Sequence, residues 1–172
     1  MSFHELNLEC MEFNAFTAIN KDWMLITAGD QNGLNMMTAS WGSMGELWNH
    51  YTTTIHIRPQ RYTRKFVEEQ DFYAICFFDE TYRDVLTLCG SKSGKDCDKI
   101  KESRLTPVFD QAAPYFQEAK LVLICRKLFH QEMTADCFLD KALMEKCYPE
   151  KDFHHSYVGG IVKVLCNDGY ED

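Results

Sequence analysis

Apolar residues along the chain gather in short runs of period two, or in unbroken blocks, and turn-forming residues separate them. Trp23 to Ala28 (WMLITA) is one such block. It leads into Gly29-Asp30-Gln31-Asn32-Gly33, residues that tolerate positive φ, so a strand and a tight turn are predicted. Asn35 to Trp41 is then the returning strand of a hairpin. Thr52 to Arg58 (TTTIHIR) is β-branched and alternating, which favours another strand. Phe72 to Phe78 is almost wholly apolar and predicts a buried strand. Ala119 to Phe129 is the strongest strand signal of the second half, with Gln131 to Cys137 expected to pair with it. Ser156 to Cys166 closes the set, and its Gly159-Gly160 pair marks a bulge or a close backbone approach.

Helical patterns are shorter. Pro59 is suited to a first helical turn, and Tyr62, Phe66 and Val67 follow at helical spacing, so a helix is predicted over Pro59 to Gln70. Tyr82 to Leu88 and Leu139 to Cys147 are short helices. Ser93 to Ser103 is polar and helical in part, and Pro107 and Pro114 frame an irregular segment. The strands arrive without a long helix between each pair. That disfavours a parallel sheet and favours a mainly β, antiparallel barrel or sandwich with short inserted helices. No repeat or linker interrupts residues 1–172, so one domain is expected.

Composition changes the picture only in part. The chain has 172 residues and a formal net charge of −8. Its acidity disfavours nucleic acid and anionic membrane surfaces as partners, but it leaves room for a local basic pocket. The first basic residue is Lys21, so no secretory n-region is read. The most apolar run, Leu121 to Cys125, is far below the about 20 residues of a membrane span. Eight cysteines are spread through the chain without a CxxC pair; reduced thiols and a cytoplasmic location are expected.

Three polar clusters interrupt the framework. Asn35, Thr38, Ala39, Ser40 and Trp41 place small hydroxyl residues beside a tryptophan at a strand end. They suit a flat heterocycle, although the local sequence by itself favours a plain strand with a core tryptophan. Arg58-Pro59-Gln60-Arg61-Tyr62-Thr63 sets two guanidiniums and a hydroxyl where a strand gives way to a helix, an arrangement able to hold a phosphate; a solvated basic helix start fits too. Cys89-Gly90-Ser91-Lys92-Ser93-Gly94-Lys95-Asp96 combines hydroxyls, glycines and lysines as an anion nest does, or as a solvated loop does. No GxGxxG or GxxxxGK[ST] occurs. No histidine pair has metal-ligand spacing, so no metal is assigned, and His56 is taken as structural.

Taken in order, these clusters resemble the small FMN-binding split-barrel proteins of the flavin reductase-like and flavoredoxin type. The matching stretches are Trp23 to Ala28, Asn35 to Gly42, Arg58 to Thr63, Cys89 to Asp96 with Asp98-Lys99, and the late His154-x-x-Tyr157-x-Gly159. They extend from about Phe13 to about Val164. The resemblance implies a six-stranded antiparallel split barrel, a homodimer, and noncovalent FMN near the dimer interface. It implies that Thr38, Ala39, Ser40 and Trp41 line the isoalloxazine ring, with Asn35 nearby. Arg58, Arg61, Tyr62 and Thr63 would serve the phosphate or ribityl chain, with Ser91, Lys92 and Ser93 closing over it and Lys99 contributing. His154 would stand on the nicotinamide side. Met44-Gly45-Glu46-Leu47-Trp48 resembles the flavoredoxin branch, with Trp48 expected over the flavin.

The expected function is an FMN-dependent oxidoreductase that takes hydride from NADH or NADPH, or passes electrons to a redox-protein partner. Two other readings stay open from sequence: a carrier or sensor holding FMN or haem without turnover, and a plain interaction domain.

Overall fold

The computed structural model describes residues 2–168 and Tyr170. Most of the chain forms one antiparallel sheet of eight strands: β1 (Phe3–Glu5), β2 (Met24–Asp30), β3 (Gly33–Ala39), β4 (Gly42–Leu47), β5 (His50–Ile57), β6 (Phe72–Phe77), β9 (Leu121–Glu132) and β10 (His155–Asn167). Two short strands, β7 (Pro107–Val108) and β8 (Tyr115–Phe116), pair separately. The α-helices are α1 (Ala15–Thr17), α2 (Thr63–Glu69), α3 (Arg83–Ser91), α4 (Lys99–Ser103) and α5 (Lys141–Cys147).

The sheet runs in the order β3-β2-β6-β9-β10-β5-β4. Its two ends, β3 and β4, are consecutive in the chain and joined only by Ser40 and Trp41. The sheet therefore curls back on itself, and Ser40-Trp41 bridges the seam that no ladder closes. This is the open side of a split barrel.

Strand β10 shows how the barrel splits. One edge pairs with β9 along nearly its whole length, while the other is shared. His155 to Gly160 pair with β5, and Leu165 to Asn167 pair with β1. The ladder to β9 shifts register at Val158/Gly159 and again at Ile161/Lys163. The glycine pair is thus both a bulge and a close approach: a Cβ on Gly159 would lie 2.3 Å from the Tyr73 hydroxyl.

Two apolar clusters explain the unbroken blocks. Ile26, Ile55, Ile57, Ile75 and Leu123 fill the barrel interior, and alternate residues Leu25, Ala74, Val122 and Ile124 point outward under a cover of α3 and the β7–β8 segment. Strands buried on both faces read as continuous hydrophobic runs.

Several elements differ from the sequence expectation. Helix α2 starts at Thr63; Pro59 to Tyr62 form turns ahead of it, with the Arg61 amide donating to the Arg58 carbonyl at 3.0 Å. Gln131 to Cys137 is not a strand of its own: β9 runs on through Glu132 as an exposed ribbon paired with β10. Strands β1 and β4 were not anticipated. Gly42, Ser43, Gly45 and Glu46 have low strand propensity, and β4 exists because it pairs with β5 across the Trp48-Asn49 turn. Both turn residues take φ of 58°, as the twist of a two-residue hairpin requires. No helix among the described residues is long and apolar enough to cross a membrane.

Candidate functional site

A slot of about 230 Å³ opens at the seam, walled by Thr38 to Trp41 on one side and by His56, Arg58 and His154 on the other. Strand β3 ends the sheet, so among the described residues its outer edge carries no ladder. Apart from the Met36 carbonyl, which Lys99 occupies, that edge is open to the rim of a planar ring. The Thr38 hydroxyl donates to the Leu86 carbonyl at 2.6 Å and ties that edge to α3. Trp41 is about half exposed (48%) and packs against His154 with centroids 5.4 Å apart.

Beyond Arg61 the slot gives way to a smaller pocket of about 150 Å³, lined by Arg61, Thr63, Ser91, Ser93, Gly94 and Lys99 among others. Arg61 donates to the carbonyls of Gly90 (2.6 Å) and Cys89 (3.1 Å). Lys99 Nζ donates to the carbonyls of Met36 (2.8 Å) and Cys89 (2.9 Å). Neither cation makes an ion pair among the described residues, and burial pulls both pKa values down. Two largely desolvated cations held only by carbonyls leave a positive pocket that an anion would complete. Asn35 donates to the Thr63 hydroxyl at 3.0 Å. Gly94 lies so close that a Cβ there would come within 2.3 Å of Asn35 Oδ1.

On the other side of Trp41 a larger chamber of about 560 Å³ shares Ser40, Trp41 and His56 with the slot. Phe16, Ile19, Met44, Met133 and Tyr148 make it apolar, and neither Lys nor Arg lines it.

His154 sits between slot and chamber. Its Nδ1 lies 2.7 Å from the Tyr148 hydroxyl. Burial, aided by the charges of Arg58 and His56, pushes its pKa down to about 4. His154 is therefore neutral at pH 7. The Tyr148 hydroxyl has one proton and two acceptors in reach, Nδ1 and the Met133 sulfur at 3.6 Å; when it donates to Nδ1, the imidazole carries its own proton on Nε2. His56 is also pushed down by burial, and its Nδ1 is 2.9 Å from the Ser156 hydroxyl.

The three sequence clusters thus converge on one trench, although not every residue stands where its motif placed it. Thr38, Ala39, Ser40, Trp41 and His154 line the slot, and Arg61, Tyr62, Thr63, Ser91, Lys92, Ser93 and Lys99 line the pocket. Asn35 is buried behind Thr63. Arg58 lines the slot rather than the pocket, and Asp152 neutralises it, with the Cys147 carbonyl accepting a second bond at 2.9 Å. Lys92 pairs with Glu102 at 2.7 Å. Trp48 stands at the tip of the β4–β5 hairpin against Phe129 and lines none of these cavities; its neighbour Met44 does. His56 and Tyr148 are the residues that sequence reading missed. A polar histidine between Ile55 and Ile57 was the available signal for the first; nothing local marks the second.

Fold and trench together define a split-barrel protein with a slot at the seam beside a pocket that holds two unpaired cations, Arg61 and Lys99. Residues 16–171 match the profile of the flavin reductase like domain, and the chain belongs to that family. No curated relative matches the sequence. Among solved structures it is similar to a flavoredoxin from Methanosarcina acetivorans, with a TM-score of 0.70 at 19% identity, over 88% of this chain and 71% of that one. It is similar to an FMN-binding domain of flavin reductases-like enzyme from Shewanella baltica, with a TM-score of 0.69 at 15% identity over 99% and 83%. A flavoredoxin of Desulfovibrio vulgaris gives 0.66 at 17% over 96% and 78%.

Proposed function

We propose that this protein binds FMN noncovalently and is an oxidoreductase that takes hydride from NADH or NADPH. The observation that carries the reading is the Arg61–Lys99 pair: two cations with no carboxylate partner, beside the hydroxyls of Thr63, Ser91 and Ser93, one step along the trench from a ring-sized slot. FMN joins a planar ring to a dianionic phosphate, and the trench offers a site for each. When bound, FMN supplies the redox chemistry.

The chain's own part is binding, orientation and exclusion of water. Arg61, Thr63, Ser91, Ser93 and Lys99 would hold the phosphate, and the edge of β3 would meet the polar rim of the ring. His154, neutral and oriented by Tyr148, would offer an Nε2 proton as a hydrogen-bond donor beside the ring. It is a positioning donor rather than a proton source at pH 7. Exposed Phe16 and Trp41 at the open side of the trench support a homodimer in which a second copy covers the flavin.

A second reading rests on the apolar chamber. It offers no cation to a dinucleotide's phosphates, which favours a redox-protein donor, with a small neutral molecule in the chamber as acceptor. Anaerobic titration of the FMN-loaded protein with NADH and with NADPH separates the two. Bleaching of the flavin bands by either supports the first. A yellow protein bleached only by a protein donor supports the second, and a chain that does not bind FMN overturns both.

A further inference from the structure

We infer that Glu68, His130 and His155 form a binding site for a divalent transition metal, on the far side of β10 from the flavin slot. The three residues come from α2, β9 and β10, and their donor atoms lie within 4.8 Å of one another. His130 is the cross-strand partner of Tyr157, and His155 lies two residues further along the same face. Nε2 of His130 is 3.0 Å from Nδ1 of His155, close to the separation of two nitrogens that share one ion.

Two imidazoles and one carboxylate are a donor set suited to Zn²⁺, Ni²⁺ or Co²⁺, with water filling the other positions. The surroundings orient these donors. The Tyr157 hydroxyl donates to Glu68 Oε1 at 3.0 Å, leaving the second carboxylate oxygen for an ion, and the Tyr157 ring stacks on His130 at 4.5 Å. Hydrogen bonds and packing behind ligands are what hold a metal set in place. Glu132, the direct partner of His155, adds negative charge nearby.

One group competes. Arg64 Nη1 donates to His155 Nε2 at 2.9 Å and lies 3.5 Å from Glu68. Nδ1 of neutral His155 therefore carries the proton now shared with His130. On binding, the metal takes the Nδ1 position, that proton transfers through solvent to Nε2, and Arg64 swings away. Arg64 is thus a built-in brake on affinity.

The test is calorimetric titration of the full chain with Zn²⁺, in a Cys10→Ser/Cys137→Ser background that removes the two exposed thiols. Absorption of the Co²⁺ complex accompanies it and reports any thiolate ligand by its charge-transfer band. One ion per chain is expected, without that band. His130→Gln and Glu68→Gln should each weaken it at least about tenfold, while Arg64→Ala should tighten it. Absence of binding, a thiolate band, or binding indifferent to His130→Gln overturns the site. Unchanged or weaker binding in Arg64→Ala overturns the competition assigned to that residue. None of these readouts requires flavin, so the site stands or falls separately from the FMN reading.

Discussion

The hydroxyl of Tyr148 lies 2.7 Å from Nδ1 of His154, and through that contact a residue behind the slot sets what the slot offers. When that hydroxyl donates to Nδ1, the neutral imidazole presents Nε2–H. Removing the hydroxyl frees the tautomer and leaves a buried nitrogen unpaired, at a cost of about 1–3 kcal/mol. Tyr148→Phe should therefore lower the thermal midpoint and slow anaerobic flavin reduction, while FMN affinity stays within about twofold because Tyr148 is remote from the anion pocket. Melting curves and stopped-flow reduction check this; a variant as stable and as fast as the parent refutes the positioning role.

Arg61→Ala and Lys99→Met remove the two cations that no carboxylate neutralises. A charge-assisted hydrogen bond is worth about 1.5–3 kcal/mol, so each change should weaken FMN binding by roughly 10- to 100-fold. Riboflavin shares the ring and lacks the phosphate, so its affinity should move little. Fluorescence titration with both ligands makes the comparison. Equal losses for FMN and riboflavin would place the phosphate elsewhere.

The residues that line the Arg61–Lys99 pocket were legible in sequence for a chemical reason. A phosphate demands Arg, Lys, Ser, Thr and Gly, and short segments carry those residues together, as in Arg61 to Thr63 and Ser91 to Gly94. Arg58 was read by the same rule, but its partner Asp152 comes from a distant part of the chain, so only the fold reveals that its charge is already spent. His56 and Tyr148 acquire their roles from the seam between β3 and β4, which no local pattern encodes. The apolar blocks made β2, β6 and β9 plain, whereas β4 owes its existence to its partner β5 rather than to its own residues. Glu68, His130 and His155 escaped a search by spacing because topology alone brings them together.

Gly159→Ala tests the bulge at which β10 turns from β5 toward β1. The added Cβ would meet the Tyr73 hydroxyl at 2.3 Å and its ring carbons at 2.7 and 2.9 Å. Tyr73 is fully buried and bonded to Thr53 at 2.8 Å, so it has little room to yield. Overpacking of this kind costs about 1–3 kcal/mol. Gly45→Ala, where a Cβ meets nothing within 4 Å, is the control and should stay within about 0.5 kcal/mol. Urea midpoints of the two variants decide it; matching values would remove the close approach as the reason for glycine.

Acid should unfold the protein in part through His154. Its pKa is about 4 in the folded chain against an ordinary value of 6.5. Between those values the unfolded chain binds a proton that the folded chain refuses, so stability rises with pH across the window. The contribution is complete above about pH 6.5 and is lost as the pH falls toward 4. It amounts to about 2 kcal/mol between pH 7 and pH 5. His56 and His155 are shifted in the same direction, so His154→Gln should flatten the profile without abolishing its slope. Urea unfolding at pH 7 and pH 5, with both proteins in the same flavin state, measures the difference. The parent should lose more stability than the variant on acidification; equal losses would mean that His154 titrates in the folded chain as it does in the unfolded one.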